Sequence, residues 1–362
     1  MKVAFFFGSL NRGGAETLVS DVLKQWRSVP FEAVCIYRNE GNLSSVFHNS
    51  GAPMLKLPRK RSWLLYAVRL RRLLKREHIN VIHAQTSLNA IIAVLCTLGT
   101  PIRVVTTFHG FGFVGAPRLL RRLVFRGSDR IVFVSDYLKK GYLQRGSFGC
   151  EDKCRVVHNG IDFSKFGESI IQRDDSRERV EMCMVGSFGE GRNHLFVCRF
   201  LNALKEDGCN FHFTFVGAAR ASEREIFDQC VDYCNQHGLE NDVTFAGLRD
   251  DVPALLETMD AFVYSTRHDS FGIAVIEAIA SGLPTFVNDW CVMQEITANG
   301  AYAQLYKTDD VESLRAKFHD FLSHRREYLQ HARAGAEAIR KLYGIEHHIA
   351  DLAKCYNELE IN

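Results

Sequence analysis

The 362-residue chain contains no apolar run approaching the ~18 residues of a membrane-crossing helix, so no transmembrane anchor is expected. It also lacks any C-x2-C pair. Its eleven cysteines include Cys150/Cys154 and Cys230/Cys234, each four apart, but no histidines join them at zinc-finger spacing. No metal is expected, and an odd cysteine count without an export signal reads as the reduced thiols of a cytosolic protein. The first apolar run, residues 3–7, is short and leads into a polar loop with glycines, so it reads as a strand rather than a signal peptide. There is no repeat of short period and no low-complexity segment. A clean G-x-G-x-x-G, with an acid ending the second strand, is missing too, which argues against a nicotinamide-dependent oxidoreductase.

What is present fits a soluble globular protein of two domains, since the chain is too long for one ordinary core. The net charge of +3 conceals an asymmetry. Residues 1–166 hold 26 Lys and Arg against 10 Asp and Glu, a net +16, whereas residues 167–362 hold 19 against 32, a net −13. The first half is therefore expected to face something anionic. Two of its segments look like basic helices. Residues 59–77 place Trp63, Leu64, Ala67, Leu70 and Leu74 near helical spacing with Arg69, Arg71, Arg72, Lys75 and Arg76 between them, and residues 117–126 repeat the theme with Leu119, Leu120, Leu123 and Val124. Each segment reads either as a face for anionic lipid or as an ordinary solvated helix. Without interleaved aromatics or a nucleic-acid motif, the expected partner is an anionic membrane surface and not nucleic acid.

Strand-like runs occupy residues 2–8, 32–37, 81–84, 103–108, 130–135 and 154–158. The pattern then restarts at 181–185, 212–216, 243–245, 261–265 and 285–287. Glycines punctuate the strand ends, which predicts two doubly wound α/β domains facing a cleft. The expected boundaries are 1–165 for the first domain, 180–340 for the second and 341–362 for a C-terminal helix, with residues 163–179 as the polar linker and residues 311–360 helical in pattern. In the first domain, Ser9 to Glu16 with Gly13-Gly14 forms a strand–turn–helix junction that either welcomes a phosphate or is a plain tight turn. His109 ends a strand, where open parallel sheets bind ligands.

The most informative stretch is residues 260–289. A buried strand leads into a polar loop, and a helix over residues 273–280 stops at Gly282 and Pro284. The first amides of a helix lack internal partners, so Ser270, Phe271, Gly272 and Ile273 are expected to offer N–H groups to an anion. Asp269 precedes this entry and Glu277 lies about one turn inside it. A diphosphate with hydroxyl-bearing groups on both sides, a nucleotide sugar, suits that layout.

This stretch resembles the E-x7-E motif of the retaining GT-B glycosyltransferases of family 4, here as D-x7-E. The resemblance extends to the Gly-Gly-Ala-Glu loop, to His109-Gly110, to Asn159-Gly-Ile-Asp162, and to Gly186-Ser187 with Arg192. It implies that Asp269 holds the transferred sugar, the helix entry the diphosphate and Glu277 the ribose. Gly13 and Gly14 would approach the donor phosphates, Leu248 would lie by the base, and Asn11, Arg12 and His109 would serve the acceptor side, His109 also lying near the donor sugar. The family typically carries Gly-Arg and a later Lys on the diphosphate. This chain has Ser187 in place of that Arg, and Arg192 at the Lys position. The implied activity is retaining sugar transfer without cofactor or metal, from a UDP-sugar or, next, a GDP-sugar, to a lipid-linked saccharide. The implied setting is envelope or exopolysaccharide synthesis at the cytosolic membrane face, and the C-terminal helix is expected to return to the first domain. The rival is a non-catalytic nucleotide-sugar-binding protein that kept the fold.

Overall fold

Two parallel sheets account for the two runs of strands. The computed structural model describes residues 1–59, 62–167, 177–219 and 221–359. Part of the expected linker, residues 168–176, lies outside them, as do Lys60, Arg61 and residues 360–362. The chain divides into one unit formed by Met1–Asp162 with the segment from Ile345 onward, and a second formed by Phe163–Gly344.

The first sheet contains β1 (Lys2–Ser9), β2 (Glu32–Asn39), β3 (Met54–Lys56), β4 (Val81–Ala84), β5 (Arg103–Phe108), β6 (Arg130–Phe133) and β7 (Cys154–Val156). Their order is β3-β2-β1-β4-β5-β6-β7, and every pair is parallel. Val3, Ala4, Phe5, Phe6 and Phe7 are all fully buried. That explains why β1 reads as an unbroken apolar run: a parallel strand is covered on both faces. The strand order reverses between β1 and β4, so the loops leaving β1 and β4 open at a switch point.

The tail expected to be helical over residues 311–360 forms three helices, Val311–Ser323, Arg325–Tyr343 and Ile345–Asn357, broken at His324 and Gly344. The third packs on the first sheet, where Ile349, Leu352 and Tyr356 join Phe5, Leu18 and Phe31 in the core. Polar contacts fasten it further. The Ile345 amide donates to the Ile161 carbonyl at 3.0 Å, and His348 Nδ1 donates to the His158 carbonyl at 2.6 Å. Gly160 permits this approach, because a Cβ there would lie 2.9 Å from Ile345 Cα.

The first basic segment forms the helix Trp63–Arg76, capped by Ser62, whose Oγ accepts from the Leu65 amide. Its packed face runs through Tyr66, Leu70, Leu73 and Leu74, and Trp63, Leu64, Leu65 and Val68 are exposed. The expected stripe through Trp63, Leu64 and Ala67 is therefore corrected. Apolar residues fill every position from 63 to 68, so spacing alone does not select a face. The second segment, Arg118–Gly127, buries Val124 and Phe125 and leaves Leu119 exposed. Both helices pack against the helix Ser87–Thr97.

The second sheet contains β8 (Val180–Val185), β9 (Phe211–Val216), β10 (Val243–Phe245), β11 (Ala261–Tyr264), β12 (Thr285–Asn288) and β13 (Gln304–Tyr306). The order is β10-β9-β8-β11-β12-β13, again wholly parallel. Here the reversal falls between β8 and β11. The loops that follow these two strands carry Ser187, Arg192 and Asp269.

Candidate functional site

In the second unit, the loops after β8 and β11 are sewn together by their backbones. The Asn193 amide donates to the Ser265 carbonyl and the Arg267 amide to the Gly191 carbonyl, both at 3.0 Å. Thr266 Oγ1 donates to the Gly191 carbonyl at 2.8 Å. Asn288, fully buried at the end of β12, closes the loop from behind: its Oδ1 accepts from the Thr266 amide and its Nδ2 donates to the Thr266 carbonyl.

Arg192 lies along the backbone of Gly186, where a Cβ would come within 2.6 Å of its Cδ and Nε. Its Nε donates to Tyr264 Oη at 2.9 Å, and its NH1 group donates to Ser187 Oγ at 3.2 Å. Its NH2 group stands 3.6 Å from Asp269 Oδ1. Tyr264 Oη in turn donates to Asp269 Oδ2. Burial, followed by the charge of Asp269, pushes the Tyr264 phenol well above its ordinary pKa, so it stays protonated. His194, stacked on Phe188 at 4.0 Å, is pushed down to about 4 by burial and by the neighbouring Arg192.

The helix Ile273–Ala280 begins where expected. Gly272 is its N-cap at φ +95°, a left-handed conformation that suits glycine. The Val275 and Ile276 amides both turn back to the Gly272 carbonyl. The helical amides ahead of that first bond are those of Ile273 and Ala274, while Ser270 and Phe271 sit in the preceding bend. The Phe271 ring is buried against Tyr343. Glu277 is half-buried one turn into the helix. Leu248 follows Gly247 and is 68% exposed, the geometry of a loop residue that a ligand can cover.

In the first unit, Asn11, Arg12 and Gly13 form the turn after β1, and Gly14 opens the helix that follows. The Arg12 amide donates to Asn42 Oδ1 at 2.6 Å, and Asn11 Nδ2 donates to Ser9 Oγ at 3.3 Å. Gly13 is an extended N-cap for the helix Gly14–Lys24, and a Cβ there would lie 2.5 Å from a Glu16 carboxylate oxygen. The Glu16 carboxyl thus folds over the glycine, and burial raises its pKa. His109 follows β5, and its Nε2 donates to Gln85 Oε1 at 2.9 Å, which fixes the tautomer. Burial, then the nearness of the His348 ring, pushes His109 down to about 4, so the ring is neutral at pH 7. A small pocket, more apolar than polar, adjoins it, where Phe5, Leu18, Val132 and Leu352 meet His83, Gln85, Thr107, Asn159 and His348.

Tyr264, Thr266, Asn288 and Gln85 escaped the sequence reading. Their shared signal is a polar atom at the C-terminal end of an apolar strand or just beyond it. The cysteine pairs carry no such geometry. All eleven cysteines are free, and among the described residues no group of three His, Cys, Asp or Glu is arranged to hold a metal.

Comparison with known proteins gives this geometry its context. The family model "Glycosyltransferase Family 4" matches residues 12–165, and "Glycosyl transferases group 1" matches residues 168–340. The Escherichia coli UDP-Gal:alpha-D-GlcNAc-diphosphoundecaprenol alpha-1,3-galactosyltransferase is 24% identical over 272 residues, 68% of this chain and 67% of that protein. The capsular polysaccharide biosynthesis glycosyltransferase CapH of Staphylococcus aureus is 23% identical over 290 residues, 77% of this chain and 78% of that protein. Among solved structures, HepE of Anabaena in complex with UDP superposes with a TM-score of 0.86 at 16% identity, covering 99% of this chain and 100% of that one. With both halves matched by adjoining family models and both sheets matched to one architecture, the chain belongs to the GT-B glycosyltransferases of family 4, the group 1 glycosyl transferases.

Proposed function

We propose that this glycosyltransferase moves a hexose, with retention and without metal or cofactor, from a UDP-sugar to a lipid-linked saccharide of envelope or exopolysaccharide synthesis. The observation that carries the reading is the stitching of the β8 and β11 loops. It sets a permanent cation, Arg192, and a glycine-capped helix entry beyond the C-terminal ends of two neighbouring strands of one sheet. The leaving diphosphate needs such fixed positive charge more than any other group in the reaction. UDP is favoured because HepE, of the same fold, was solved with UDP and with UDP-glucose. A lipid-linked acceptor is favoured because the Escherichia coli relative takes a diphosphoundecaprenol-linked sugar.

In this reading the bond from the sugar's anomeric carbon to the diphosphate oxygen breaks, and its electron pair leaves with the diphosphate. The acceptor oxygen bonds to that carbon on the same face, and its proton passes to the diphosphate. Arg192 and the Ile273 and Ala274 amides hold the developing negative charge, and Glu277 holds the ribose. His109, neutral, serves the acceptor side as a hydrogen-bonding group rather than as a charge.

Working at the cytosolic face of the membrane belongs to the same proposal. Its support is the first unit's net positive charge and the exposed Trp63, Leu64, Leu65, Val68 and Leu119 beside arginines of the same helices. No helix among the described residues is long and apolar enough to cross a membrane.

Calorimetry with UDP, GDP and ADP tests the donor reading. UDP is expected to bind, and Glu277→Ala to weaken it by about 1–3 kcal/mol, the range for a lost charge-assisted hydrogen bond. No binding by any of the three, or no effect of Glu277→Ala, overturns the donor site. Binding without turnover of any donor supports the non-catalytic alternative, which the Ser187 departure favours.

A further inference from the structure

We infer that Tyr264 is a positioning residue that holds Arg192 and Asp269 apart, so that the guanidinium stays available to the donor diphosphate instead of being neutralised by the neighbouring carboxylate. This rests on the donor-site reading above and deepens it.

An arginine beside a carboxylate ordinarily closes a two-pronged hydrogen-bonded pair. Here it does not. The nearest Arg192–Asp269 approach is 3.6 Å, beyond hydrogen-bond reach. The Tyr264 hydroxyl stands between them, accepting from Arg192 Nε at 2.9 Å and donating to Asp269 Oδ2. One phenol thus occupies the inner edge of the guanidinium and one oxygen of the acid. Ser187 Oγ accepts a hydrogen bond from the NH1 group, where the family typically places a second cation. Arg192 is therefore the cation on which the diphosphate depends at this loop, and its side chain remains 30% exposed while Asp269 is 15% exposed.

Tyr264 has the rigidity such a spacer needs. It ends β11, is fully buried, and lies parallel to Phe262 with centroids 6.0 Å apart. Its carbonyl accepts from Tyr306 Oη at 2.8 Å. Burial also keeps its phenol protonated, and only the protonated phenol both accepts from Arg192 and donates to Asp269.

Removing the hydroxyl has a definite consequence. In Tyr264→Phe the guanidinium loses its inner partner and the acid loses its donor, so the two close on each other. The diphosphate must then break an ion pair in order to bind. Removing the charge of the acid in the same molecule releases Arg192 again. The decisive experiment is UDP calorimetry on the parent, Arg192→Ala, Tyr264→Phe, Asp269→Asn and Tyr264→Phe/Asp269→Asn, with a thermal melt on each. Tyr264→Phe is expected to bind UDP about ten-fold more weakly while still folded, and the double variant to regain most of that loss. A structural role alone predicts no such recovery. Tyr264→Phe binding like the parent, or a double variant no better than Tyr264→Phe, overturns the inference and leaves the donor site standing. A parent that binds no UDP, or an Arg192→Ala variant that binds it unchanged, overturns the use of Arg192 in the donor reading itself, and this inference with it.

Discussion

At the residue scale, the site depends on small groups that make room for large ones. Gly186 gives Arg192 its path, and Gly272 lets the chain turn left-handed before its helix. An added Cβ at Gly272 would lie 2.8 Å from Met293 Cε and 3.0 Å from Ile296 Cδ1, on a backbone that L-residues rarely adopt. Gly272→Ala is therefore expected to cost about 1–3 kcal/mol of stability, seen as a lowered midpoint in urea, and to weaken UDP binding in parallel. An unchanged midpoint and unchanged affinity would show that the entry tolerates rearrangement. Gly272 was legible as a helix entry because Ser-Phe-Gly precedes an apolar run that ends before Gly-Leu-Pro. Tyr264 was not legible as a polar group, because in sequence it is one more aromatic of a buried strand. Only its contact with Arg192, 72 positions away, reveals the use of its hydroxyl.

At the scale of elements, the strands of the second unit that the sequence announced follow the reading almost residue for residue, whereas β13 (Gln304–Tyr306) was not read from it. Strands Val243–Phe245 and Ala261–Tyr264 follow it, as does the helix Ile273–Ala280. Buried parallel strands are continuous apolar runs with glycine at their ends, and helices announce their stops. The basic helix Trp63–Arg76 is the counterexample: its existence was legible, its buried face was not. Packing chose Tyr66, Leu70, Leu73 and Leu74 and turned Leu64 and Leu65 outward, 75% and 63% exposed. Two exposed leucines beside arginines have a cost in water that a lipid surface removes. Leu64→Glu/Leu65→Glu is expected to reduce flotation with phosphatidylglycerol vesicles at least ten-fold and to leave the melting temperature nearly unchanged. Flotation equal to the parent's would assign these leucines no role at a membrane.

At the scale of the whole molecule, the first unit is completed by chain from the far end. His83 is hydrogen-bonded to Tyr356 at 2.6 Å across 273 positions and to Thr107 at 2.6 Å, and His348 is bonded to the His158 carbonyl. Burial holds His83 down to about 3 and His348 down to about 4. Both are neutral when folded and take up protons when unfolded below about pH 6.5. Unfolding therefore binds protons, and stability falls as the pH drops from about 6.5 towards those lower values. At pH 5 the loss amounts to about 2 kcal/mol for each of the two. The titratable groups that face them include Asp351 and His347 of the same helix, together with His109 and His158. Urea midpoints at pH 7.5 and pH 5 measure the effect, and His348→Asn is expected to lessen it. Equal midpoints at both pH values would place these histidines in contact with solvent.

By itself the sequence determined what neighbours in the chain can settle: the alternation of strands and helices, the restart that marks two units, the glycines at strand ends and the D-x7-E spacing of one helix entry. Those signals have periods of two to four residues, or depend on one glycine or proline, so local chemistry suffices. The tertiary structure alone decided which leucines face outward, where the helical tail breaks to rejoin the first sheet, and that a buried phenol stands between Arg192 and Asp269. Each of these results from packing or hydrogen bonding between segments far apart in the chain, where the free energy depends on which surfaces meet and no local pattern records it.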